Sequence, residues 1–392
     1  MISETRKIYL DFSATTPVDP RVSEAMMPYF SRTFGNASSI HSFGREAKIP
    51  LEESRERIAR AIGARPGEIF FTSGGTEADN HALLGAAFAG RRAKGRNHVV
   101  VSAVEHHAVL RSADYLRENG FEVTVLPVDR FGTVDPTTVR SSLTAKTSVV
   151  SVMHANNEIG TIQDIKSIAS LVHERGIVFH SDAVQSAGKI AVDVKELSID
   201  LVALSAHKFY GPKGIGVIFI RKGVDVDSMI HGGAQERNRR AGTENVPLAV
   251  GCAEALDLSQ REMAHQSTHC TQLKRKLQDL LERKFEDIVF NGNPSNSLPN
   301  ILNVSFVSSN KVIDGEALLL NMDLHGVAVT SGSACSSGSM EPSHVLRAIG
   351  HDEKTARSSI RFSLGKSTTE DEIVAAAEIL EEVVRKCTVL HA

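Results

Sequence analysis

Several side chains that could do chemistry stand directly after short apolar runs of this 392-residue sequence. They comprise a glycine turn, a histidine, an amide, a carboxylate and a lysine. In chain order they are Gly75 and Thr76 after the run 68–72, His106 after 98–102, Asn157 after 148–153, Asp182 and Gln185 after 177–181, and Ser205, His207 and Lys208 after 200–204. Residues of these types can move protons, and a lysine can bond covalently to a carbonyl group.

The apolar runs predict the strands that would position these residues. Near-continuous apolar stretches suit a sheet that is covered on both faces. Helical patterns fall between most of the runs; for example, Asp164 can cap a helix that Gly176 ends. We therefore predict a mostly parallel α/β sheet. Ligands bind outside the carboxyl ends of such strands, so the polar residues should meet at one rim. The runs are 68–72, 98–102, 148–153, 177–181, 200–205 and 215–220.

The segment "SGGTE" (73–77) leads from a predicted strand into a predicted helix. Free N–H groups at the start of a helix attract phosphate, although a simple tight turn would look the same. The segment is not a nucleotide-binding P-loop. The similar "LGKST" at 364–368 also fails, because Ile360 stands where the first glycine of that motif is needed.

A lysine, a carboxylate, a histidine and an anion cradle together suggest pyridoxal 5'-phosphate (PLP). A free lysine has a pKa of about 10.4, so it becomes a nucleophile only when it is desolvated or lies near positive charge. The end of a buried strand provides this for Lys208. The alternatives are a surface turn for Lys208, a helix N-cap for Asp182 and an ordinary hydrogen-bonded residue for His106.

Composition restricts the class of protein and its location. Apolar residues make up 41% and charged residues 23%, as in ordinary soluble domains. The net charge of −3 gives no reason to expect nucleic acid or a membrane as partner, and no apolar run is long enough to span a bilayer. The first residues lack a signal-peptide core, so we expect a cytoplasmic protein. No CxxC pair joins the four cysteines, and we expect neither disulfides nor a resident metal.

The pattern of apolar and polar residues changes near residue 258, where a long polar helix is predicted to begin. Hairpin-like segments and a terminal helix near 370–387 follow. We predict a large PLP-binding domain at 15–257. The segments 1–14 and 258–392 are predicted to form a smaller α+β domain.

A resemblance to a known family runs from "YLDFSATTP" at 9–17 to "SSIRFSLG" at 358–365. The sequence resembles the cysteine desulfurases of the NifS/IscS type, in the class V aminotransferase group with the PLP fold type I. The motifs that carry the resemblance are "TSGGTEADN", "MHANNEIG", "HSDAVQSAGK", "SAHKFYGPKGIG", "RRAGTENV" and "SGSACSSGS".

The resemblance implies a role for each candidate residue. Lys208 would carry PLP, Asp182 would pair with its pyridine nitrogen, and His106 would stack on the ring and help to move protons. Gln185 and Asn157 would lie near the ring oxygen. The phosphate would be bound by Gly75, Thr76, Ser205 and His207, and by Thr243 from the second subunit of a homodimer. The substrate would be bound by Arg361 with Asn157.

Cys335 lies in "TSGSACSSGSME", a stretch of small residues that predicts a flexible loop. By resemblance, Cys335 attacks the sulfur of L-cysteine, holds it as a persulfide and releases L-alanine. The sulfur would pass to an iron–sulfur scaffold or another acceptor protein, and Cys335 could serve as a transient iron–sulfur ligand. The other cysteines match no family motif. They are Cys252, Cys270 and Cys387.

Two departures from the family pattern affect these expectations. Asn36-Ala37-Ser38 replaces the usual "GNPS", which removes a rigid proline. The sequence ends at "RKCTVLHA", without the longer tail of the IscS proteins. Together with "AGTENV", this favours the NifS side of the group. The alternative functions are an aminotransferase or selenocysteine lyase of the same fold, a non-catalytic phosphate-binding module, and a protein that carries sulfur loaded by others.

Overall fold

The computed structural model describes residues 7–307, 311–332 and 341–390. Cys335 lies outside the described residues. The strands, in chain order, are β1 (Ile8–Tyr9), β2 (Ile69–Thr72), β3 (His98–Ser102), β4 (Glu122–Leu126), β5 (Thr147–Ser151), β6 (Val178–Asp182), β7 (Leu201–Ser205), β8 (Gly216–Ile220), β9 (Ile288–Asn291), β10 (Ile301–Phe306), β11 (Lys311–Ile313), β12 (Val327–Ala328), β13 (Ser359–Ser363) and β14 (Thr388–Leu390).

Helices connect most of these strands. In chain order they are α1 (Pro20–Met26), α2 (Pro28–Ser31), α3 (Ser42–Ala61), α4 (Gly75–Lys94), α5 (His107–Glu118), α6 (Pro136–Ser142), α7 (Ile165–His173), α8 (Gln235–Asn238), α9 (Val246–Lys284), α10 (Gly315–Leu324), α11 (His344–Ala348), α12 (Glu353–Arg357) and α13 (Glu370–Cys387). Short 3₁₀ turns lie at Pro66–Glu68 and Ala206–Lys208. α8 is one irregular turn, since Glu236, Arg237 and Asn238 have positive φ.

The large sheet has the strand order β2-β8-β7-β6-β5-β3-β4. Its pairings from β4 to β7 are parallel, and β8 runs antiparallel to both neighbours. The link from Ser205 to Gly216 is too short for a helical crossover, which explains the reversal at β8. The predicted mostly parallel α/β sheet is confirmed.

Both faces of the large sheet are covered, as its apolar runs predict. Alternate strand residues point to opposite faces. Val99 and Val101 share a core with α4 and α5, whereas Val100 shares a core with α3, α7 and the first half of α9. The predicted cap of α7 is present, because the Asp164 side chain accepts from Ser167 N at 3.2 Å.

The C-terminal part of the chain forms a second core around the antiparallel sheet β13-β10-β9. α13 and the second half of α9 pack in it, and β1 joins it by pairing with β12. α9 is 39 residues long and passes through the predicted boundary at 257/258 without a break. The division into domains stays a prediction. Among the described helices, none is both long and apolar enough to cross a membrane.

Candidate active site

Lys208 ends the 3₁₀ turn that follows β7, and its side chain returns toward the N-terminal segment. Nζ donates to the backbone carbonyls of Ser13 at 2.6 Å and Ala14 at 2.8 Å. The same segment holds the turn itself, because Thr16 N donates to the His207 carbonyl at 3.0 Å. The lysine is therefore positioned by residues almost 200 places earlier in the chain.

The surroundings of Lys208 favour the neutral amine. Burial lowers its pKa to about 8, and the nearby positive charge of Arg361 acts in the same direction. Asp182 and Asp11 oppose this shift. An appreciable fraction of the amine is consequently neutral near pH 7–8, as nucleophilic and base catalysis by lysine require.

Asp182 and Gln185 lie on the neighbouring strand end, after β6. Asp182 Oδ1 accepts from Val184 N at 2.8 Å, and burial raises the pKa of this carboxyl to about 6. Gln185 Nε2 donates to the carbonyl of Ser13 at 2.9 Å. Its Oε1 is buried and has no hydrogen-bond partner among the described residues. That oxygen is an acceptor ready for a ligand donor.

The start of α4 forms a shallow cradle beside the end of β7. A Cβ on Gly75 would lie 2.8 Å from Val184 Cγ2 and 3.4 Å from Ser205 Cβ, so a side chain there would fill the space. The first N–H groups of a helix have no intrahelical acceptor. Thr76, in the first turn, is exposed. His207, in the turn after β7, has its Nδ1 3.1 Å from Thr15 Oγ1.

His106 caps α5 with its ring, since Nδ1 accepts from Ala108 N at 3.1 Å. The residue is exposed and borders an open cleft, and the protein around the ring partly desolvates it. This desolvation, with the charge of Lys208, lowers the pKa of His106 to about 4. The imidazole is thus neutral at physiological pH, and its face can lie against an aromatic ligand.

Arg361 in β13 reaches the site from the second core. Its Nη1 donates to the carbonyl of Asn157 at 2.8 Å, and its Nη2 pairs with Asp11 Oδ1 at 2.8 Å. Nε is buried without a partner among the described residues. A guanidinium held in this way can bind a carboxylate.

The structure thus brings together nearly all the predicted site residues that it describes. The exception is Thr243, an exposed residue between α8 and α9 for which the structure gives no contact with the others. Contacts of the site residues also reveal partners that the sequence did not single out. Ser13, Ala14 and Asp11 fix Lys208 and Arg361, and Lys189 holds backbone of the site.

These residues fit PLP. The unpartnered Gln185 Oε1 suits the ring hydroxyl, and the buried Asp182 carboxyl suits a cationic ring nitrogen. The cradle at Gly75 is open to a phosphate at a helix start. Lys208 supplies an amine of lowered pKa at the same rim.

Comparisons with known proteins agree with this geometry. The model of the aminotransferase class-V family matches residues 8–375. Cysteine desulfurase IscS of Dictyoglomus turgidum is 49% identical over 381 residues, which cover 97% of this chain and 95% of the relative. A solved NifS-like protein superposes with a TM-score of 0.89 at 37% identity, covering 97% of this chain and 100% of its own. The structure of SspA in complex with cysteine superposes with a TM-score of 0.80 at 34% identity, covering 93% and 100%.

The chain therefore belongs to the aminotransferase class-V family, and its relatives carry both of the names IscS and NifS. It has the α/β fold of the fold-type I enzymes, and its cofactor is PLP.

Proposed function

We propose that this chain is a cysteine desulfurase whose chemistry is centred on Lys208 at the carboxyl rim of the large sheet. The proposed reaction is the PLP-dependent conversion of L-cysteine to L-alanine, and its support is that relatives 45–49% identical over nearly the whole chain are named cysteine desulfurase IscS. The observation that carries the assignment of residues is one arrangement. The lowered-pKa amine of Lys208, the buried carboxyl of Asp182 and the unpartnered Gln185 Oε1 lie on two neighbouring strand ends.

PLP, when bound, supplies an electron sink for the charge left on the substrate α-carbon. Lys208 holds the cofactor and afterwards, as the free amine, takes the α-proton. Asp182 is ionised at neutral pH, above its pKa of about 6, and stabilises a protonated ring nitrogen. Arg361 and Asn157 orient the substrate carboxylate. The neutral ring of His106 would lie against the bound cofactor and would help to move protons.

Cys335 is proposed as the residue that receives the sulfur. Its thiolate attacks the sulfur of the bound cysteine, and the carbon–sulfur bond breaks. The bonding electrons stay with the carbon skeleton, which takes up a proton and leaves as L-alanine. Cys335 is left as a persulfide, and the terminal sulfur passes to an acceptor such as an iron–sulfur scaffold protein.

A homodimer is proposed from the surface of α1 to α3. Phe34 and Phe43 are exposed and pack against each other with ring centroids 5.9 Å apart. Further exposed apolar side chains lie in the same part of the chain, and a concentration of such side chains is typical of a surface buried by a partner. The patch also includes Met27, Phe30, Ile40 and Ile49.

Thr243 is proposed to complete the phosphate site of the second subunit. Its loop is held by an ion pair of Arg240 Nε with Glu77 Oε1 at 2.8 Å, and Thr243 itself is exposed.

A cytoplasmic location is proposed as well. Its support is that the described cysteines are all free thiols, as in reducing compartments; they are Cys252, Cys270 and Cys387.

The decisive test is a turnover assay of the purified yellow protein with L-cysteine. L-alanine should form, and a persulfide label should map to Cys335. Cys335→Ala should bind PLP and L-cysteine but release little sulfide with a reductant. Near-normal sulfide release would contradict the persulfide step. Alanine formation by amino-group transfer to an acceptor would instead identify an aminotransferase. Alanine formation from selenocysteine but not from L-cysteine would identify a selenocysteine lyase.

A further inference from the structure

A second lysine, Lys189, lies behind the rim and donates to the backbone of the site. Its Nζ donates to the carbonyl of Gln185 at 2.9 Å and to the carbonyl of Lys208 at 3.3 Å. Gln185 follows β6 and Lys208 follows β7. One ammonium group therefore joins the two turns that carry the ring-binding residues and the PLP lysine.

The position of this ammonium is costly. Lys189 lines a small pocket together with Lys208, Tyr210 and Cys270. The structure gives it no ion pair within the described residues. Burial lowers its pKa to about 7, and the charge of Lys208 adds to this effect. An apolar side chain such as methionine would fill the same space without losing hydration of a charge.

The two hydrogen bonds are what a methionine could not supply. The turn after β7 is also held by Thr16, which donates to the carbonyl of His207 through N and Oγ1. Thr16 ties this turn to the N-terminal segment, whereas Lys189 ties it to the turn after β6. Without Lys189, the direct side-chain link between the backbone of Lys208 and that of Gln185 is lost.

We propose that Lys189 is a positioning residue for PLP binding: the hydrogen bonds of its Nζ fix the backbone of Lys208 relative to that of Gln185. The amine of Lys208 and the amide of Gln185 are then held at the separation at which both reach the same cofactor. This proposal rests on the assignment of Lys208 as the PLP lysine.

The chain offers a matched control in Lys274. Its Nζ donates to the Leu298 carbonyl and to Ser297 Oγ, both at 2.9 Å, and burial lowers its pKa to about 8. Like Lys189, it donates to a loop carbonyl, here from α9, but its partners are not residues proposed to bind PLP.

The experiment compares Lys189→Met and Lys274→Met, as full-length protein, by Tm, PLP dissociation constant and the visible band of bound PLP. Both variants should have a lower Tm. Only Lys189→Met should bind PLP more weakly, by about tenfold for the loss of a buried hydrogen-bonded link, and show an altered band. Lys189→Arg, which keeps donors at this position, should restore most of the affinity.

Wild-type affinity and an unchanged band in Lys189→Met would overturn the proposal, as would equal losses of affinity in the two methionine variants. If Lys189→Met does not fold, Lys189→Leu decides by the same comparison with Lys274→Leu. Borohydride reduction of the wild-type protein separates this proposal from the one it rests on. A PLP label on the peptide of Lys189 or Lys213 would refute the assignment of Lys208, whereas a label on Lys208 leaves that assignment standing whatever the variants show.

Discussion

Arg361 and Asp11 form an ion pair of 2.8 Å between β13 and the N-terminal segment. Asp11 also lies close enough to Lys208 to raise its pKa, in opposition to Arg361. One carboxylate therefore influences both the proposed substrate-binding guanidinium and the proposed PLP lysine.

Asp11→Asn should lower the pKa of Lys208 below about 8, because a charge that stabilises its ammonium is removed. The pH at which PLP attachment to the cofactor-free protein is half-maximal should move to lower values, since attachment needs the neutral amine. KM for L-cysteine should also rise severalfold as Arg361 loses its partner. Stopped-flow absorbance over pH 6–9 measures the first effect. A midpoint that stays in place or rises would contradict it.

Asp182→Asn should stabilise the cofactor-free protein at neutral pH while it weakens PLP binding. The folded-state pKa of Asp182 is about 6, above the ordinary value near 3.8. The folded protein therefore binds the proton more tightly, and stability falls as pH rises from about 4 to about 6. At pH 7.5 the cofactor-free variant should gain at most about 3 kcal/mol, and at pH 4 nothing. Urea unfolding at both pH values tests this; an advantage that is equal at both would be inconsistent with it.

Gly75→Ala should weaken PLP binding by about tenfold or more, because its Cβ would lie 2.8 Å from Val184 Cγ2 in the cradle. Gly74→Ala is the matched control. A Cβ on Gly74 meets no atom within 4 Å, and the extended backbone at φ 162 accepts any residue. Equilibrium dialysis with PLP compares the two. Equal affinities would show that the cradle does not hold the phosphate.

A mixed dimer of Lys208→Ala and Thr243→Arg chains should recover about half of the wild-type activity, although each homodimer is nearly inactive. In the mixed dimer, the Lys208 of the Thr243→Arg chain receives an intact Thr243 from the other chain. That site is whole, and the other site has both defects. Mixed dimers verified by mass spectrometry that stay inactive would show that Thr243 does not act across the dimer.

The sequence predicted the rim well, because it depends on local patterns. Each strand end is marked by an apolar run, so Asp182 and Lys208 could be placed on one edge before any coordinates. β4 escaped prediction for the opposite reason. It is an edge strand with half-exposed residues, and it shows no continuous apolar run.

Long-range partners were beyond the reach of spacing arguments. The sequence around Ser13 does not indicate that the Ser13 carbonyl accepts hydrogen bonds from Lys208 and Gln185. The 257/258 boundary was predicted from a change of composition. In the structure α9 continues through this point, and its two halves pack in different cores. Leu256 packs with the large-sheet core and Leu277 with the second core.

The pairing of β1 with β12 has a consequence for synthesis on the ribosome. Ile8 lies beside Val327, and Asp11 pairs with Arg361, so an early segment of the chain finds its partners in segments that are made much later. Lys208 can be given its native amine position only once this N-terminal segment is in place. A nascent chain should thus form the large sheet early but stay unable to retain PLP until Val327 and Arg361 have been made.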